Sequence, residues 1–350
     1  MYDTIVVGAG QAGLSVGYYL KNTDQNFLLL DKGNEIGEKW KERYDSLVLF
    51  TPRMYSSLPG LPLRGDKQGF PSKNEIVSYL KDYVAHFHLP VQLNEAVKSV
   101  VKVENNFLIE TNKGTYKAKN LVVATGPFQT PYIPKFSKNL SPTINQFHSE
   151  NYQNSNQLLD GNVVVVGGGN SGAQIAVELS KERETYLAIS KKLSYLPLTI
   201  SNKSIFWWFN KLGILSAKNN SLLGKFIQKK GDPIFGLDLK QAIKKNKVKV
   251  KSRVVAANKN VLVFQDNSTL EVNNIIWATG FKSEYPWLRI EGVLDKEGQV
   301  IHERGESTIK GLYFIGLPWQ FRRGSALLQG VGYDAAYIVR KISERSILKV

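Results

Sequence analysis

The hydrophobic pattern of the chain contains two short, largely apolar runs of β-branched residues, at residues 4–7 and 163–166. Continuous runs of this kind are typical of strands that are buried on both faces of a parallel sheet. Each run leads into a glycine-rich loop and then into a helical pattern, which after the first loop predicts a helix at about residues 11–21. Further strands are expected at residues 27–30 and about 185–189. The pattern therefore predicts two β–loop–α–β units.

The first loop carries the spacing G-x-G-x-x-G at Gly8, Gly10 and Gly13. The first glycine permits the tight turn, the second lets the backbone approach a pyrophosphate, and the third lets the helix pack on the strand. The following strand ends at Asp31, which is placed to accept hydrogen bonds from a ribose. We therefore predict a dinucleotide site, with the positive end of the helix facing the phosphates.

The second loop repeats this spacing but lacks the acid. Its glycines are Gly167, Gly169 and Gly172, and the next strand ends at Ser190, Lys191 and Lys192. A hydroxyl and two ammonium groups suit an adenosine 2′-phosphate, which favours NADPH, with NADH still possible. The alternative is that both lysines are solvated surface charges in a lysine-rich chain.

The tripeptide Ala-Thr-Gly follows both loops at the end of a strand, at residues 124–126 and 278–280. Recurrence in register with the glycine loops indicates an internal repeat of a whole dinucleotide-binding domain. The predicted fold is therefore α/β, with two Rossmann-like domains. A protein that holds two dinucleotides commonly transfers hydride from a nicotinamide to a flavin, which passes electrons to oxygen or another acceptor.

The composition of the chain excludes several kinds of site and classes of protein. The chain has 350 residues, no cysteine and four scattered histidines, which excludes disulfides and thiolate chemistry and predicts no metal site. No apolar run approaches the roughly 20 residues of a membrane span, and residue 1 leads directly into a strand, so we expect a cytoplasmic protein without a signal peptide. The net charge of +16 suits acidic cofactors, and without a recognition motif it does not predict nucleic-acid binding.

Several stretches resemble one family of flavoproteins. They include GAGQAGLSVGYYL, YDSLVLFTPRMYSSLPGLPL, GGGNSGAQIAVELS, IIWATGFKSEYPW and GLYFIGLPWQFRRGSALLQGVGYDAAYI. The chain is similar to flavin-containing monooxygenases, and more closely to CzcO-type FAD/NAD(P)-dependent oxidoreductases. The resemblance implies an FAD domain at residues 1–154 and 285–350, interrupted by an NAD(P)H domain at residues 155–284. It also implies a helix from about Ser325 whose positive end lies against the flavin.

The motifs and the resemblance together give the expected cofactor contacts. For FAD they are Gly8, Gly10, Gln11, Ala12, Gly13, Asp31, Lys32, Gly37, Lys39, Trp40, Arg43, Leu47, Val97, Ala124, Thr125, Gly126, Gly316 and Ala326. For NADP they are Gly167, Gly169, Asn170, Ser171, Gly172, Ser190, Lys191, Lys192, Ala278, Thr279 and Gly280. The stretch from Gly37 to Arg43 could instead be an ordinary surface loop.

The monooxygenase fingerprint F-x-G-x-x-x-H-x-x-x-Y/F is half matched. His148 and Tyr152 are in register, whereas Pro142 and Ile144 replace the phenylalanine and the glycine. His148 could equally be a linker residue that packs the two domains together. Phe50 stands where related monooxygenases commonly have an asparagine, and we expect it to face the flavin. A benzene ring cannot hydrogen-bond an oxygen adduct, which predicts a short-lived C4a-peroxyflavin.

Residues 201–236 form an insertion that a minimal domain would not need, and they combine aromatic residues with scattered lysines. Three interpretations are open: a helical hairpin that packs on its own domain, a lid or homodimer contact, and an amphipathic element on a membrane surface.

The expected function is that of an FAD-dependent NADPH oxidoreductase, in which a C4a-peroxyflavin oxygenates a small substrate that contains nitrogen, sulfur or a ketone. The expected partners are this substrate and dioxygen. The alternatives are an NAD(P)H:acceptor reductase or oxidase, and a redox- or nucleotide-sensing subunit linked to cation transport.

Overall fold

The computed structural model describes residues 1–347, so the last three residues of the predicted FAD segment 285–350 lie outside the described part. The strands are β1 Tyr2–Val7, β2 Phe27–Leu30, β3 Val91–Gln92, β4 Val97–Val103, β5 Asn106–Thr111, β6 Thr115–Val123, β7 Thr130–Pro131, β8 Asn145–His148, β9 Val163–Val166, β10 Thr185–Ala188, β11 Tyr195–Leu196, β12 Thr199–Ile200, β13 Lys203–Ser204, β14 Ile234–Phe235, β15 Val248–Lys251, β16 Val254–Asn258, β17 Val261–Phe264, β18 Thr269–Glu271, β19 Asn274–Trp277, β20 Phe281–Lys282, β21 His302–Glu303, β22 Glu306–Ser307 and β23 Leu312–Phe314. The helices are α1 Gln11–Lys21, α2 Glu38–Lys41, α3 Lys73–Phe87, α4 Asn170–Leu179, α5 Ile205–Lys211, α6 Leu222–Lys230, α7 Asp238–Lys244 and α8 Leu328–Ile347.

The first unit is built on a sheet with the strand order β21-β22-β23-β6-β1-β2-β3. Its central strands β23, β6, β1, β2 and β3 are parallel, and the hairpin β4–β5 joins it through β6. Helices α1, α3 and α8 contribute to an apolar core with Val6 of β1, whereas Ile5 and Val7 belong to a second apolar cluster. Strand β1 is therefore apolar on successive residues because both of its faces are covered.

The second unit contains a parallel sheet with the order β15-β10-β9-β19-β8. All four residues of β9 are buried. Val163 and Val165 share a core cluster with helices α4 and α7, and Val164 and Val166 share another with the antiparallel sheet β16-β17-β18. The valine run is thus explained by burial on both faces.

The prediction of an α/β fold with two Rossmann-like units is confirmed. Strand β8 belongs to the second sheet although it precedes residue 154, the predicted end of the first FAD segment. The domain boundaries stay predictions, and this pairing argues for an earlier crossing between the units. The helix expected from about Ser325 begins at Leu328, after a 3₁₀ turn at Arg323–Ala326. Within residues 1–347, no helix is both long and apolar enough to span a bilayer.

Candidate functional site

The first glycine loop connects β1 to α1, and one of its three glycines has empty space beside it. Gly8 has a φ of +108°, and a Cβ there would lie 2.6 Å from the carbonyl oxygen of Ala124. A Cβ on Gly13 would lie 1.8 Å from the carbonyl oxygen of Gly8. A Cβ on Gly10, by contrast, would meet nothing within 4 Å. Gly8 and Gly13 are therefore required by the fold, whereas the free space at Gly10 fits a ligand phosphate.

The second loop, between β9 and α4, reproduces this arrangement. Gly167 has a φ of +126°, and its Cβ would lie 2.2 Å from the carbonyl oxygen of Ala278. A Cβ on Gly172 would lie 2.0 Å from the carbonyl oxygen of Gly167, and one on Gly169 would meet nothing within 4 Å. Two separate parts of the chain thus form the same cradle at the N-terminal end of a helix, where backbone N–H groups favour an anion.

Asp31 lies at the end of β2, beside the first loop. Its Oδ2 accepts a hydrogen bond from the Ala9 N–H at 2.6 Å, and its Oδ1 accepts one from the Gly33 N–H at 2.7 Å. These bonds hold the carboxylate at the edge of the loop. The neighbouring Lys32 is exposed.

Three segments that the sequence assigned to FAD meet at the start of α1. The Gln11 Nε2 donates to the carbonyl oxygen of Ala326, and the Trp40 Nε1 donates to the Gln11 Oε1, both at 3.4 Å. A Cβ on Gly316 would lie 3.0 Å from the Ala12 Cβ, so that loop also approaches the helix closely. Gln11 therefore joins the loop before α8 to helix α2.

Other predicted FAD contacts lie at the junction of the two units. Lys39 forms ion pairs with Glu42 at 2.8 Å and with Glu150 at 3.4 Å. The Arg43 guanidinium lies near the Phe128 and Phe281 rings, at 5.6 and 5.7 Å, and burial lowers its pKa.

The remaining predicted FAD contacts lie in four places. Leu47 packs against the core of the second unit, Gly37 precedes α2, and Val97 begins β4. After β6, Thr125 and Gly126 both accept hydrogen bonds from the Gln129 Nε2, at 3.0 and 2.8 Å.

Asn170 and Ser171 begin helix α4 beside the second loop. The Asn170 Oδ1 accepts a hydrogen bond from the Phe235 N–H at 2.9 Å, and its Nδ2 donates to the Pro233 carbonyl oxygen at 3.1 Å. Ser171 lies near the Tyr44 hydroxyl, whose pKa burial raises to about 12. The Tyr44 hydroxyl donates to the Gln174 Oε1 at 2.9 Å, which fixes the first unit to α4.

Ser190, Lys191 and Lys192 are exposed after β10. Within residues 1–347, neither lysine forms an ion pair closer than 4.0 Å, so both ammonium groups are free to meet a phosphate. A third exposed cation, Arg253, was not among the predicted NADP contacts. It lies two positions beyond β15, and β15 pairs with β10 in parallel. Only the strand order brings Arg253 to the same edge of the sheet, so no local signal could have indicated it.

His148 joins the sheet of the second unit to the returning chain. Its Nδ1 accepts a hydrogen bond from the Glu150 N–H at 3.1 Å, so its Nε2 carries the proton and donates to the Gly280 carbonyl oxygen at 3.0 Å. Burial lowers the pKa of this imidazole. Thr279 donates its hydroxyl to the Tyr132 carbonyl oxygen. The geometry gives His148 a structural role at the linker.

Phe50 lies in an aromatic stack that spans the two units. Its ring centroid is 4.6 Å from that of Phe235 and 6.1 Å from that of Phe206, and both pairs are stacked. Phe206 is fully buried and belongs to the insertion. Phe50 therefore supports the insertion, a contact that the local sequence could not reveal.

The insertion also contacts the first unit by polar groups. The Asn219 N–H donates to the Phe321 carbonyl oxygen at 2.8 Å, and its Nδ2 donates to the Trp319 carbonyl oxygen at 3.1 Å. The Arg323 Nε pairs with the Asp232 Oδ1 at 2.9 Å. The insertion therefore packs against the first unit as well as against the second unit, to which it belongs. It lies over the junction of the two units, and we call it the cover.

A cavity of about 270 Å³ lies beneath this cover. Its walls include Tyr55 from the first unit, Asn210 from α5, and Arg322, Gln329 and Tyr333 around the start of α8. Among the described residues that line it, Arg322 is the one with a charge, and its guanidinium stacks 4.1 Å from the Tyr333 ring. A more open depression of about 550 Å³, at residues 139–142 and 259–261, shares no wall with either glycine loop.

A buried carboxylate lies behind the cavity. Asp334 is fully buried, and the Arg304 Nε approaches its Oδ1 at 3.8 Å. Burial raises the pKa of this carboxyl. Arg304 is in turn held between the Phe321 and Tyr337 rings, 3.8 and 4.0 Å away. Asp334 also attracts Arg322, so the guanidinium in the cavity wall has a buried counter-charge behind it.

The chain is similar to known oxidoreductases over nearly its whole length. A family model described as pyridine nucleotide-disulphide oxidoreductase matches residues 5–195. The uncharacterized oxidoreductase CzcO of Bacillus subtilis is 66% identical over 98% of this chain and 99% of its own. The probable indole-3-pyruvate monooxygenase YUCCA4 of Arabidopsis thaliana is 29% identical over 97% of this chain and 90% of its own.

Among solved structures, the flavin-containing monooxygenase from Stenotrophomonas maltophilia superposes with a TM-score of 0.84 at 24% identity and covers 99% of both chains. This likeness concerns the fold. The family match and the 66% identity to CzcO over 98% of the chain agree with the two glycine cradles, and the chain belongs to the pyridine nucleotide-disulphide oxidoreductase family as an oxidoreductase of the CzcO type.

Proposed function

We propose that this oxidoreductase is an NADPH-dependent flavin monooxygenase that places one atom of dioxygen on a small molecule. The overall reaction consumes NADPH, a proton and dioxygen, and yields NADP⁺, water and the oxygenated substrate. The observation that carries the proposal is the pair of loops in which only Gly10 and Gly169 leave space for a ligand. A chain with two such cradles is suited to hold two dinucleotides at once.

The two cradles would take different cofactors. Asp31 suits the ribose hydroxyls of FAD at the first loop, and Lys191 with Lys192 suits the 2′-phosphate of NADPH at the second. When bound, FAD supplies two-electron acceptance from a nicotinamide and reactivity toward dioxygen. The chain has no cysteine, so it cannot itself carry out the thiol–disulfide exchange that the family description names.

The protein contributes binding, orientation and exclusion of water. Gln11 orients the loop around Ala326 against helix α1, where we place the flavin-binding surface. The insertion covers the junction, and the cavity beneath it would receive the substrate. Because Arg322 is the charged group in its wall, the cavity favours a substrate with a polar or anionic group.

The test is to reduce the purified yellow protein with NADPH without oxygen, and then to mix it with dioxygen while following the flavin absorption spectrum. We expect rapid reduction, followed by a transient absorbing species that is neither reduced nor oxidised flavin. Direct return of the oxidised spectrum with stoichiometric peroxide would instead identify an oxidase or an acceptor reductase.

A variant separates the two cradles. Gly169→Ala leaves the first loop unchanged and places a methyl group in the open space of the second. We expect this protein to retain flavin and its reduction by dithionite but to lose most of its reduction by NADPH. Unchanged reduction by NADPH would contradict the assignment of the second cradle.

A further inference from the structure

We propose that helix α6 attaches this protein to the surface of a bilayer that contains anionic lipids. This inference is independent of the proposed reaction. It concerns one surface of the insertion, the basic apolar patch, which consists of Leu222, Leu223, Phe226, Lys225, Lys229 and Lys230.

The apolar side chains of the patch are exposed to an unusual extent. Leu222 is 90% exposed, Phe226 63% and Leu223 41%. Leu222 and Leu223 lie four and three residues before Phe226, which places both on the same face of α6 as Phe226. A soluble surface rarely keeps large apolar side chains together on one helix face without a partner.

The opposite face of α6 fixes this orientation. Gly224 is buried, and a Cβ there would lie 1.9 Å from the Lys218 carbonyl oxygen. The Ser221 hydroxyl caps the helix by accepting a hydrogen bond from the Gly224 N–H at 3.0 Å. The helix is therefore anchored by its small-residue side and presents Leu222 and Phe226 outward.

The charges around the patch identify the partner. Residues 203–230 contain six lysines and no aspartate or glutamate. Within residues 1–347, no ion pair closer than 4.0 Å involves Lys225, Lys229 or Lys230. On a helical projection these lysines flank Leu222 and Phe226 on both sides, the arrangement of a helix that lies in a membrane interface with its charges toward lipid phosphates.

A second copy of the chain fits this surface less well. A symmetric contact would place the lysines of one patch against those of the other, in a protein that already carries a net charge of +16. An anionic lipid surface instead offers both an apolar layer for Phe226 and negative charge for the lysines.

The test is co-sedimentation of the full-length holoprotein with vesicles of phosphatidylcholine alone or with about 30% phosphatidylglycerol. We expect binding only to the anionic vesicles, with release at high salt. The double substitutions Leu222→Ser with Phe226→Ser, and Lys225→Glu with Lys229→Glu, should each lower the vesicle partition coefficient at least about tenfold. Their flavin content should stay that of the wild type, which shows that the fold is intact.

The matched control is Lys135→Glu with Lys138→Glu, which makes the same charge change at exposed positions of another segment. Equal losses in the control and in the patch variant would mean general charge attraction and would overturn the proposal. Equal binding to both kinds of vesicle would do the same. The proposal would also be overturned if the protein bound no vesicles and sedimentation velocity showed a dimer that Phe226→Ser dissociates.

Discussion

At the scale of single residues, the glycines of one loop have different physical tasks. A methyl group on Gly13 would collide with the Gly8 carbonyl oxygen at 1.8 Å, whereas one on Gly10 would enter open space. We expect Gly10→Ala to fold but to bind FAD weakly, and Gly13→Ala to lose the fold. Far-UV circular dichroism and the ratio of flavin to protein absorbance distinguish the two outcomes. A flavin-saturated Gly10→Ala protein would refute the assignment of this space to the pyrophosphate.

The two lysines after β10 should determine the choice of nicotinamide cofactor. Replacing Lys191 and Lys192 by glutamate removes two charge-assisted contacts to a 2′-phosphate, each of which contributes about 1.5–3 kcal/mol. We expect KM for NADPH to rise at least about tenfold while KM for NADH changes little. The control is the exposed pair Lys244 and Lys245, replaced in the same way. Similar increases for both cofactors would assign the lysines to the solvated surface.

At the scale of elements, His148 connects β8 to the chain that returns after β19. Burial lowers its pKa below the usual 6.5, so the unfolded chain binds a proton that the folded protein does not. The free energy of unfolding should therefore fall as the pH drops through about 6.5. We expect His148→Gln to reduce this slope in urea unfolding followed from about pH 7.5 to 5.5.

A slope remains in that variant because burial also lowers the pKa of His302. His148→Leu should instead lower stability by about 0.5–1.5 kcal/mol at pH 7.5, because it removes the hydrogen bond from His148 to the Gly280 carbonyl oxygen. That oxygen still accepts a hydrogen bond from the Tyr132 N–H at 2.9 Å, so it is not left without a donor. An identical pH dependence in the wild type and in His148→Gln would place the titration elsewhere.

The elements near the cradles could be predicted because their signals are local. Strand β2 and helix α1 have the predicted bounds, and the spacing of Gly8, Gly10 and Gly13 encodes both the turn and the close helix contact. The monooxygenase fingerprint around His148 predicted less of the local structure. The orientation of the His148 side chain depends on the carbonyl group of Gly280, which is far away in sequence.

Contacts between distant segments could not be predicted. Phe50 stacks on Phe235, and Asn219 bonds the loop at Trp319 and Phe321, yet no periodicity relates these positions. Such pairs depend on how the insertion folds back over the first unit. Sequence patterning therefore predicted the two cradles, whereas the cover and its cavity became apparent only in the structure.

At the scale of the whole molecule, the two units are held by groups that bypass the linkers. Tyr44 bonds Gln174 on α4, and Leu47 of the same loop packs into the core of the second unit. The Gln174 Nε2 also donates to the Val48 carbonyl oxygen at 3.0 Å. A short stretch of the first unit thus forms part of the second core and holds the two units together.

The charge of the whole chain should act on the approach of the nicotinamide cofactor. With a net charge of +16, the protein attracts anions over distances of about a Debye length, which is roughly 10 Å at 0.1 M salt. The second-order rate of flavin reduction in stopped flow should therefore fall as salt is added. NADPH carries one more phosphate than NADH, so its rate should fall more steeply on the same protein. If the attraction is local to the second cradle, substitution of Lys191 and Lys192 by glutamate makes the salt dependence of the reduction rate equal for NADPH and NADH. If NADPH keeps the steeper salt dependence in this variant, the attraction comes from the overall charge.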